Sequence, residues 1–420
     1  MTGGFDSEST ATKLFNDIAE FSADTEGVSR PAYSSIETKT LEFLVDFARD
    51  QGLAVSYDAG QNVVFSLPED ADAEKFVLVG SHVDSVPNGG NFDGLAGVIA
   101  GLLCLARAKH RGISFAKPVK VIALRAEESA WFGPCYIASK ALLGKLQVSE
   151  LNALHKGDGR PLKAHMTDLG IEVDRVQKHE PLMDISAIDA YIELHIEQGP
   201  LLVEKNLPAA VVSGIRGNIR HRKIRCTGEP GHSGAVPRAY RKDCVLAMAD
   251  LLSRLDESWL TILQKGEDLV LTCGMVGTDP QIHALTRIPD LVDFSLDFRS
   301  QSTTALDAIR SLLEQIIQSV ERERRVKFEL DAEMYTAPAL CDSQMVKGLL
   351  ASMENVDLEP FTMPSGGGHD AAVFANAGIP SAMIFVRNRN GSHNPHEAME
   401  ISDLIAGTDI IFNYLTEMLE

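Results

Sequence analysis

Basic residues are in short supply. Lys and Arg number 39 against 59 Asp and Glu, a formal net charge of -20 over 420 residues. A field of that sign argues against binding nucleic acid or an anionic membrane through the overall charge. It leaves room for an anionic small substrate, because a local cationic pocket overrides the global sign. Long hydrophobic runs are also missing: the longest apolar stretch, 97–106, is too short to span a bilayer. Residues 1–10 carry acids and no basic patch leading into an apolar run, so no secretory signal is expected there. Cysteine pairs are lacking as well. Cys104, Cys135, Cys226, Cys244, Cys273 and Cys341 are scattered, with no C-x-x-C among them. That fits reduced thiols in a cytoplasmic protein better than a disulfide frame or a structural zinc knot.

What is present is ordinary for a globular enzyme: 45% apolar and 23% charged residues. The chain is longer than one hydrophobic core usually serves, which predicts two domains. Opening helices are expected at 8–21 and 34–51. Apolar strands follow at 76–81, 119–124, 191–194 and 382–386, with a helix at 94–110. Strands that are apolar throughout and alternate with helices predict the α/β class, with a buried, mixed, largely parallel sheet. Residues 214–332 differ. Strands at 218–226, 269–276, 291–299 and 326–330 are interleaved with helices at 241–255 and 304–320. That order, β-α-β-β-α-β, is the split-βαβ, ferredoxin-like α+β unit. It is read as an inserted domain, 214–332, within a discontinuous catalytic domain, 1–213 and 333–420.

Four predicted strands end in potential metal ligands. They lead into Gly80-Ser81-His82-Val83-Asp84, Arg125-Ala126-Glu127-Glu128, Glu193-Leu194-His195 and, shortly after the last, Gly391-Ser392-His393. Open α/β sheets build their sites beyond the carboxyl ends of the strands, so these distant segments should converge. Asp93, just before the helix that follows the first strand, is a fifth candidate. Two metal ions need a shared anionic bridge and about two further ligands each. His82, Asp93, Glu128, His195 and His393 meet that count, with Asp93 as the bridge. Mixed imidazole and carboxylate ligands suit Zn²⁺ first, with Mn²⁺, Co²⁺ or Ni²⁺ as alternatives. Asp84 is placed to orient the His82 ring. Of the doubled acid, Glu128 is assigned to metal. Glu127 is assigned as general base, taking a proton from water and delivering it to the departing nitrogen.

Each feature alone has a plain explanation. A lone histidine at a strand end is ordinarily a core or surface residue, and a Glu-Glu pair is ordinarily a solvated helix start. Gly-Asn-Phe-Asp-Gly is a serviceable turn and cap. The coincidence of four strand ends and a helix start, each with the right residue type, is what favours a site. His110, His155, His165, His179 and His396 show no partner pattern and are expected to be exposed.

Gly80-Ser-His-Val-Asp-Ser-Val-Pro-Asn-Gly-Gly-Asn-Phe-Asp-Gly resembles the signature of the hydantoinase/carbamoylase-type amidohydrolases. These belong to the dinuclear metallopeptidase and aminoacylase superfamily. Glu193-Leu-His-Ile-Glu-Gln-Gly-Pro, Gly231-His-Ser-Gly-Ala-Val-Pro and Ser365-Gly-Gly-Gly-His-Asp-Ala are similar to further motifs of that family. The resemblance runs from about residue 10 to the C-terminus. It implies a dimetal catalytic domain and a smaller lid through which a homodimer forms. It carries the ligand roles onto the same five residues and the base role onto Glu127. It also implies that His232, in the lid, reaches the partner subunit's site and stabilises the tetrahedral oxyanion. Gln198 would contact the amide or ureido head of the substrate, and Arg299 would pair with its carboxylate. His283 and Gly367 complete the implied substrate-binding set.

The chain departs from the family pattern at three places. The run 283–289 stands where two asparagines are usual. Glu127-Glu128 is followed by Ser129-Ala130-Trp131-Phe132. The last loop carries Arg387 and Arg389. These changes touch substrate grip and not the metal ligands. The leading expectation is hydrolysis of an N-carbamoyl-L-amino acid to the amino acid, CO₂ and ammonia, with allantoate-type ureido substrates as near neighbours. Deacylation of an N-acyl amino acid is the alternative, because extra cations in the last loop suit a second carboxylate. A catalytically dead binding protein is the remaining option, and the complete ligand set argues against it.

Overall fold

The computed structural model describes residues 5–417. The chain divides into two compact units, one formed by Met1–Gly214 with Leu340–Glu420 and the other by Ile215–Ala339.

The first unit is built on a nine-stranded mixed sheet. Its centre is four parallel strands side by side: Val119–Leu124, Phe76–His82, Ile188–Ile196 and Ser381–Val386. Nearly every residue of these strands is buried, which is why their apolar runs do not alternate. The flanks are antiparallel, in keeping with a mixed sheet, but their strands were not among those expected. Val63–Ser66 pairs with Val119–Leu124, and Ala54–Tyr57 pairs with Val63–Ser66 as a hairpin. On the other side Ala209–Ile215 runs against Ser381–Val386. Val77, Val79, Ile192 and Ile384 share one core with Leu103 of helix Leu95–Arg111 and Ile410 of helix Ile401–Glu417. The opening helices, Ser7–Phe21 and Ser35–Asp50, begin where Asp6 and Ser34 accept the backbone N–H of Ser9 and Glu37.

The second unit has the strand–helix order Gly217–Thr227, Cys244–Gln264, Val270–Thr272, Leu291–Ser300, Thr303–Arg324 and Lys327–Leu330. The two long strands pair antiparallel at the centre. Lys327–Leu330 lies outside Gly217–Thr227, and Val270–Thr272 lies outside Leu291–Ser300. Alternate residues of Leu291–Ser300 are buried, so Val292, Phe294, Leu296 and Phe298 face the two helices. The strand expected at 269–276 is broken. It stops at Thr272 and resumes as Val276–Gly277, and between the two the Met275 N–H donates to Ser295 Oγ at 3.0 Å. The unit continues past 332 to Ala339, since Met334–Thr336 pairs with Gly217–Thr227.

Candidate metal centre

The parallel strands deliver their carboxyl ends to one edge of the first unit, and the site assembles there. His82 closes Phe76–His82 and His195 is the penultimate residue of Ile188–Ile196. Glu127 and Glu128 follow Val119–Leu124, and His393 follows Ser381–Val386 on a loop. Asp93 lies between them. Its Oδ1 is 3.4 Å from His82 Nε2 and 3.1 Å from His195 Nε2. Its Oδ2 is 3.6 Å from His393 Nε2, which in turn is 3.2 Å from Glu128 Oε1. Two ligands bonded at 2.0–2.1 Å to a tetrahedral ion sit roughly 3.3–3.4 Å apart, so these spacings match the edges of two coordination shells sharing one carboxylate. The residue types and the geometry therefore fit two divalent ions. The two sets, His82–Asp93–His195 and Asp93–Glu128–His393, each gather within 4.8 Å.

Backbone groups set the imidazole tautomers. His195 Nδ1 lies 2.9 Å from the Ile196 carbonyl and His82 Nδ1 lies 3.1 Å from the Asp84 carbonyl. Donation from Nδ1 leaves each Nε2 lone pair facing Asp93. The Gly94 N–H, 3.2 Å from His195 Nε2, is consistent with that assignment. Gly94 has φ +65°, and a Cβ there would fall 2.4 Å from the His82 ring, so the position requires glycine. Asp84 does more than orient His82. Its buried carboxylate accepts the Glu127 N–H with Oδ1 and the Glu128 N–H with Oδ2, both at 3.0 Å. Just before them, Ala126 is held in the left-handed region, φ +49°. Glu37 accepts its N–H at 2.9 Å and the Arg125 guanidinium at 2.6 Å.

Acids outnumber cations in this buried space. Burial pushes the Glu127 and Glu128 carboxyls up. Burial and the neighbouring Asp93 push Glu397 up to about 7. Asp93 moves the other way, well below its ordinary value: burial opposes the shift, but His195 and His82 outweigh it. His393 is raised to about 9, chiefly by its hydrogen bond to Glu128. A site of this composition favours added positive charge.

Residues 78–417 match the profile of peptidase family M20/M25/M40. The chain belongs to that family. An N-carbamoyl-L-amino-acid amidohydrolase of Pseudomonas sp. (strain NS671) is 30% identical over 387 residues, covering 92% of each chain. An allantoate amidohydrolase of Escherichia coli (strain K12) is 30% identical over 392 residues, covering 93% of each. A solved structure, an amidase of the hydantoinase/carbamoylase family from Burkholderia multivorans, superposes with a TM-score of 0.87 at 26% identity, covering 98% of each chain.

In this M20/M25/M40 enzyme the remaining site candidates fall in two places. Gln198 Nε2 donates to Asp93 Oδ2 at 2.7 Å, and a side chain at Gly367 would meet Gln198 Oε1, so both lie at the Asp93 cluster. Arg299, His283 and His232 belong to the second unit. Arg299 lies on Leu291–Ser300 and donates to Asp297 from Nη2 at 2.9 Å. His283 is exposed, with Thr278 Oγ1 at 3.4 Å from its Nδ1. His232 is exposed on a two-residue strand paired with Arg287–Ile288.

Several neighbours of the cluster escaped the sequence reading. Glu397 accepts the N–H groups of Phe92 and Asp93 at 2.9 and 3.1 Å, and Ser392 Oγ lies against both Glu397 and Asp93. Glu193 accepts from Ser81 and from the Ala371 N–H. His369 stands 4.4 Å ring to ring from His195. Of these, Glu193, Ser392 and His369 lay in motifs singled out beforehand but had no role assigned, and Glu397 lay outside them all. Two expectations need correction. Arg387 is not a free cation for substrate: both its Nε and Nη2 donate to Asp403, at 2.8 and 2.9 Å, while Arg389 pairs with Glu400 on the surface. His155 and His165 are not exposed and partnerless, for both are half-buried around Asp158. The six cysteines are free thiols, and no helix among the described residues is long and apolar enough to cross a membrane.

Proposed function

We propose that this chain is a dinuclear metal-dependent amidohydrolase that cleaves the linear ureido C–N bond of an N-carbamoyl-L-amino acid, giving the L-amino acid, CO₂ and ammonia. The observation that carries the reading is Asp93, whose two oxygens face two separate ligand sets. Two divalent ions, zinc by the donor chemistry, would be held by His82 and His195 on one side of Asp93 and by Glu128 and His393 on the other. When bound they supply electrophilic polarisation of the scissile carbonyl and acidify water. Glu127, whose Oε2 lies 3.8 Å from His82 Nε2, takes the proton from the attacking water and passes it to the leaving nitrogen. Gln198 orients the carbamoyl head, and Gly367 leaves room beside it. Arg299 and His283 bind the amino-acid end. His232 donates to the oxyanion in the partner subunit of a homodimer formed through the second unit.

The names of the Pseudomonas and Escherichia coli relatives favour carbamoyl and ureido substrates. The ion pair that occupies Arg387 removes the main support for an N-acyl substrate with a second carboxylate. Allantoate is the second reading, favoured by the Escherichia coli relative. A panel of N-carbamoyl-L-amino acids, allantoate and N-acyl amino acids, read by ammonia release and by product analysis, separates the three. Ammonia from a carbamoyl amino acid, abolished by chelation and restored by zinc, is the expected result. Turnover of acyl substrates alone, without ammonia, overturns the proposal.

A further inference from the structure

A second grouping of metal-ligating side chains lies in the first unit, in residues separate from the Asp93 cluster. A tight loop, closed by the Leu154–Pro161 bridge and by the His155 N–H donating to the Arg160 carbonyl at 2.9 Å, carries His155 and Asp158. The helix that follows, Leu162–Asp168, presents His165 to the same carboxylate. His155 Nδ1 is 3.3 Å from Asp158 Oδ1, and His165 Nε2 is 3.3 Å from Asp158 Oδ2. All three ligand atoms lie within 4.8 Å of one another.

Two imidazoles converging on one carboxylate is more than a surface ion pair needs. The rings stand 5.0 Å apart, so two protonated rings would repel across that gap. Both are held in place. Trp131 stacks on His155 at 5.7 Å with 12° between planes, and Phe132 packs on both rings, at 5.0 and 5.2 Å. The backbone N–H groups of Gly157 and Asp158 lie 3.2 and 3.4 Å from His155 Nδ1, so that atom carries a lone pair, held by two long hydrogen bonds that a bound ion would displace. The spacing again matches the edge of a tetrahedral shell, roughly 3.3–3.4 Å. The side chains of His155 and His165 are 12% and 11% exposed, whereas Asp158 is 43% exposed and opens the cluster to water.

We propose that His155, Asp158 and His165 form a binding site for a further divalent transition-metal ion, with water completing its shell. Two imidazoles and one carboxylate select Zn²⁺, Co²⁺ or Ni²⁺ over Mg²⁺ or Ca²⁺. The site is tied to the catalytic turn. The Lys156 N–H donates to the Trp131 carbonyl at 2.9 Å, and the Trp131 indole donates to the Ser85 carbonyl at 2.7 Å. Trp131 and Phe132 belong to the short helix Ser129–Phe132, which Glu128 immediately precedes. An ion in the loop therefore braces the segment that carries Glu127 and Glu128, and acts as a positioning element.

Equilibrium dialysis of the whole chain, first stripped by a chelator and then equilibrated with micromolar Co²⁺, tests this by metal analysis. The wild type should take up about three equivalents, and His165→Ala and Asp158→Asn about two. Asp93→Asn should lose the paired ions and keep the one in the loop, so a failed dimetal centre and a failed loop site give different results. Asp158→Asn alters an exposed side chain and carries the test if His165→Ala does not fold. Equal uptake by the wild type and Asp158→Asn overturns the proposal.

Discussion

Glu127 and Glu128 are neighbours in sequence with different surroundings. Glu128 turns its Oε1 to His393 at 3.2 Å, while Glu127 turns its Oε2 towards His82 at 3.8 Å. On that basis Glu127→Gln should hold its metal and lose activity. The expected fall in kcat is about 10²–10⁴, the usual worth of general acid–base catalysis. Metal analysis beside steady-state kinetics checks it, and loss of metal would instead exchange the two roles. A second residue-scale prediction lies away from the metals. Asp58 sits in the hairpin turn, where Oδ1 accepts the N–H of Gly60 at 2.8 Å and of Asn62 at 3.0 Å. Burial raises its carboxyl from 3.8 to about 6, although those bonds oppose the shift. A raised carboxyl means that the folded state binds the proton more tightly. Stability is then greatest below the unfolded value and falls as pH climbs towards about 6, by up to about 3 kcal/mol and less where water screens the group. Asp58→Asn keeps an acceptor and removes that charge. Its Tm relative to the wild type should therefore rise between pH 4 and pH 7, and a pH-independent difference would contradict the assignment.

At the scale of elements, the segment after Val119–Leu124 is held from two sides. Glu37, from helix Ser35–Asp50, accepts the Ala126 N–H, and Asp84, two residues past Phe76–His82, accepts the next two amides. This double hold keeps Ala126 in a left-handed conformation that L residues adopt only at some cost. Asparagine at 84 offers a single carbonyl acceptor, so one buried N–H would then face an amide donor. Asp84→Asn is expected to lower stability by about 1–3 kcal/mol. It should also weaken metal affinity or activity by about 10–100-fold, the usual effect of losing a group that supports a ligand. Thermal unfolding and zinc competition measure the two separately. An Asp84→Asn enzyme with wild-type metal affinity would show that the Glu127–Glu128 turn holds itself.

At the scale of the whole molecule, the second unit carries a histidine with a candidate role in the reaction. His232 is exposed, and among the described residues its Nδ1 accepts one local bond, from the Gly234 N–H at 3.1 Å. Nothing in the packing of its own unit requires a histidine there. If it serves the partner subunit, neither a His232→Ala dimer nor a Glu127→Gln dimer has a complete site, but a hybrid of the two has one. Mixing the two inactive proteins under conditions of subunit exchange should restore activity. Loss of an oxyanion donor costs about 10²–10³ in rate, so the recovery should stand well above either parent. Confirmed exchange without recovery would confine His232 to its own subunit or remove it from the reaction.

The four parallel strands, the residue types at their ends and the family are legible in the order of amino acids. Each of these is carried by a short local pattern: unbroken apolar runs mark doubly buried strands, and few side chains serve as metal ligands. The β-α-β-β-α-β order of the second unit is legible there too, because helix and strand periods differ along the chain. Which side chains stand beside one another emerges only when the chain folds. Glu397 meets the Phe92 and Asp93 amides across about three hundred residues of chain, and no local period connects them. The antiparallel strands Ala54–Tyr57 and Ala209–Ile215 were not expected: the first is only four residues long, and the second takes its partner, Ser381–Val386, from far along the chain. Arg387 reads as a free cation until Asp403, on the final helix, comes round to neutralise it. His155 and His165 read as solvated until one carboxylate and two aromatic rings close around them. A side chain's chemistry is written in its residue type, but its charge state, tautomer and availability are set by neighbours that only the folded chain assembles.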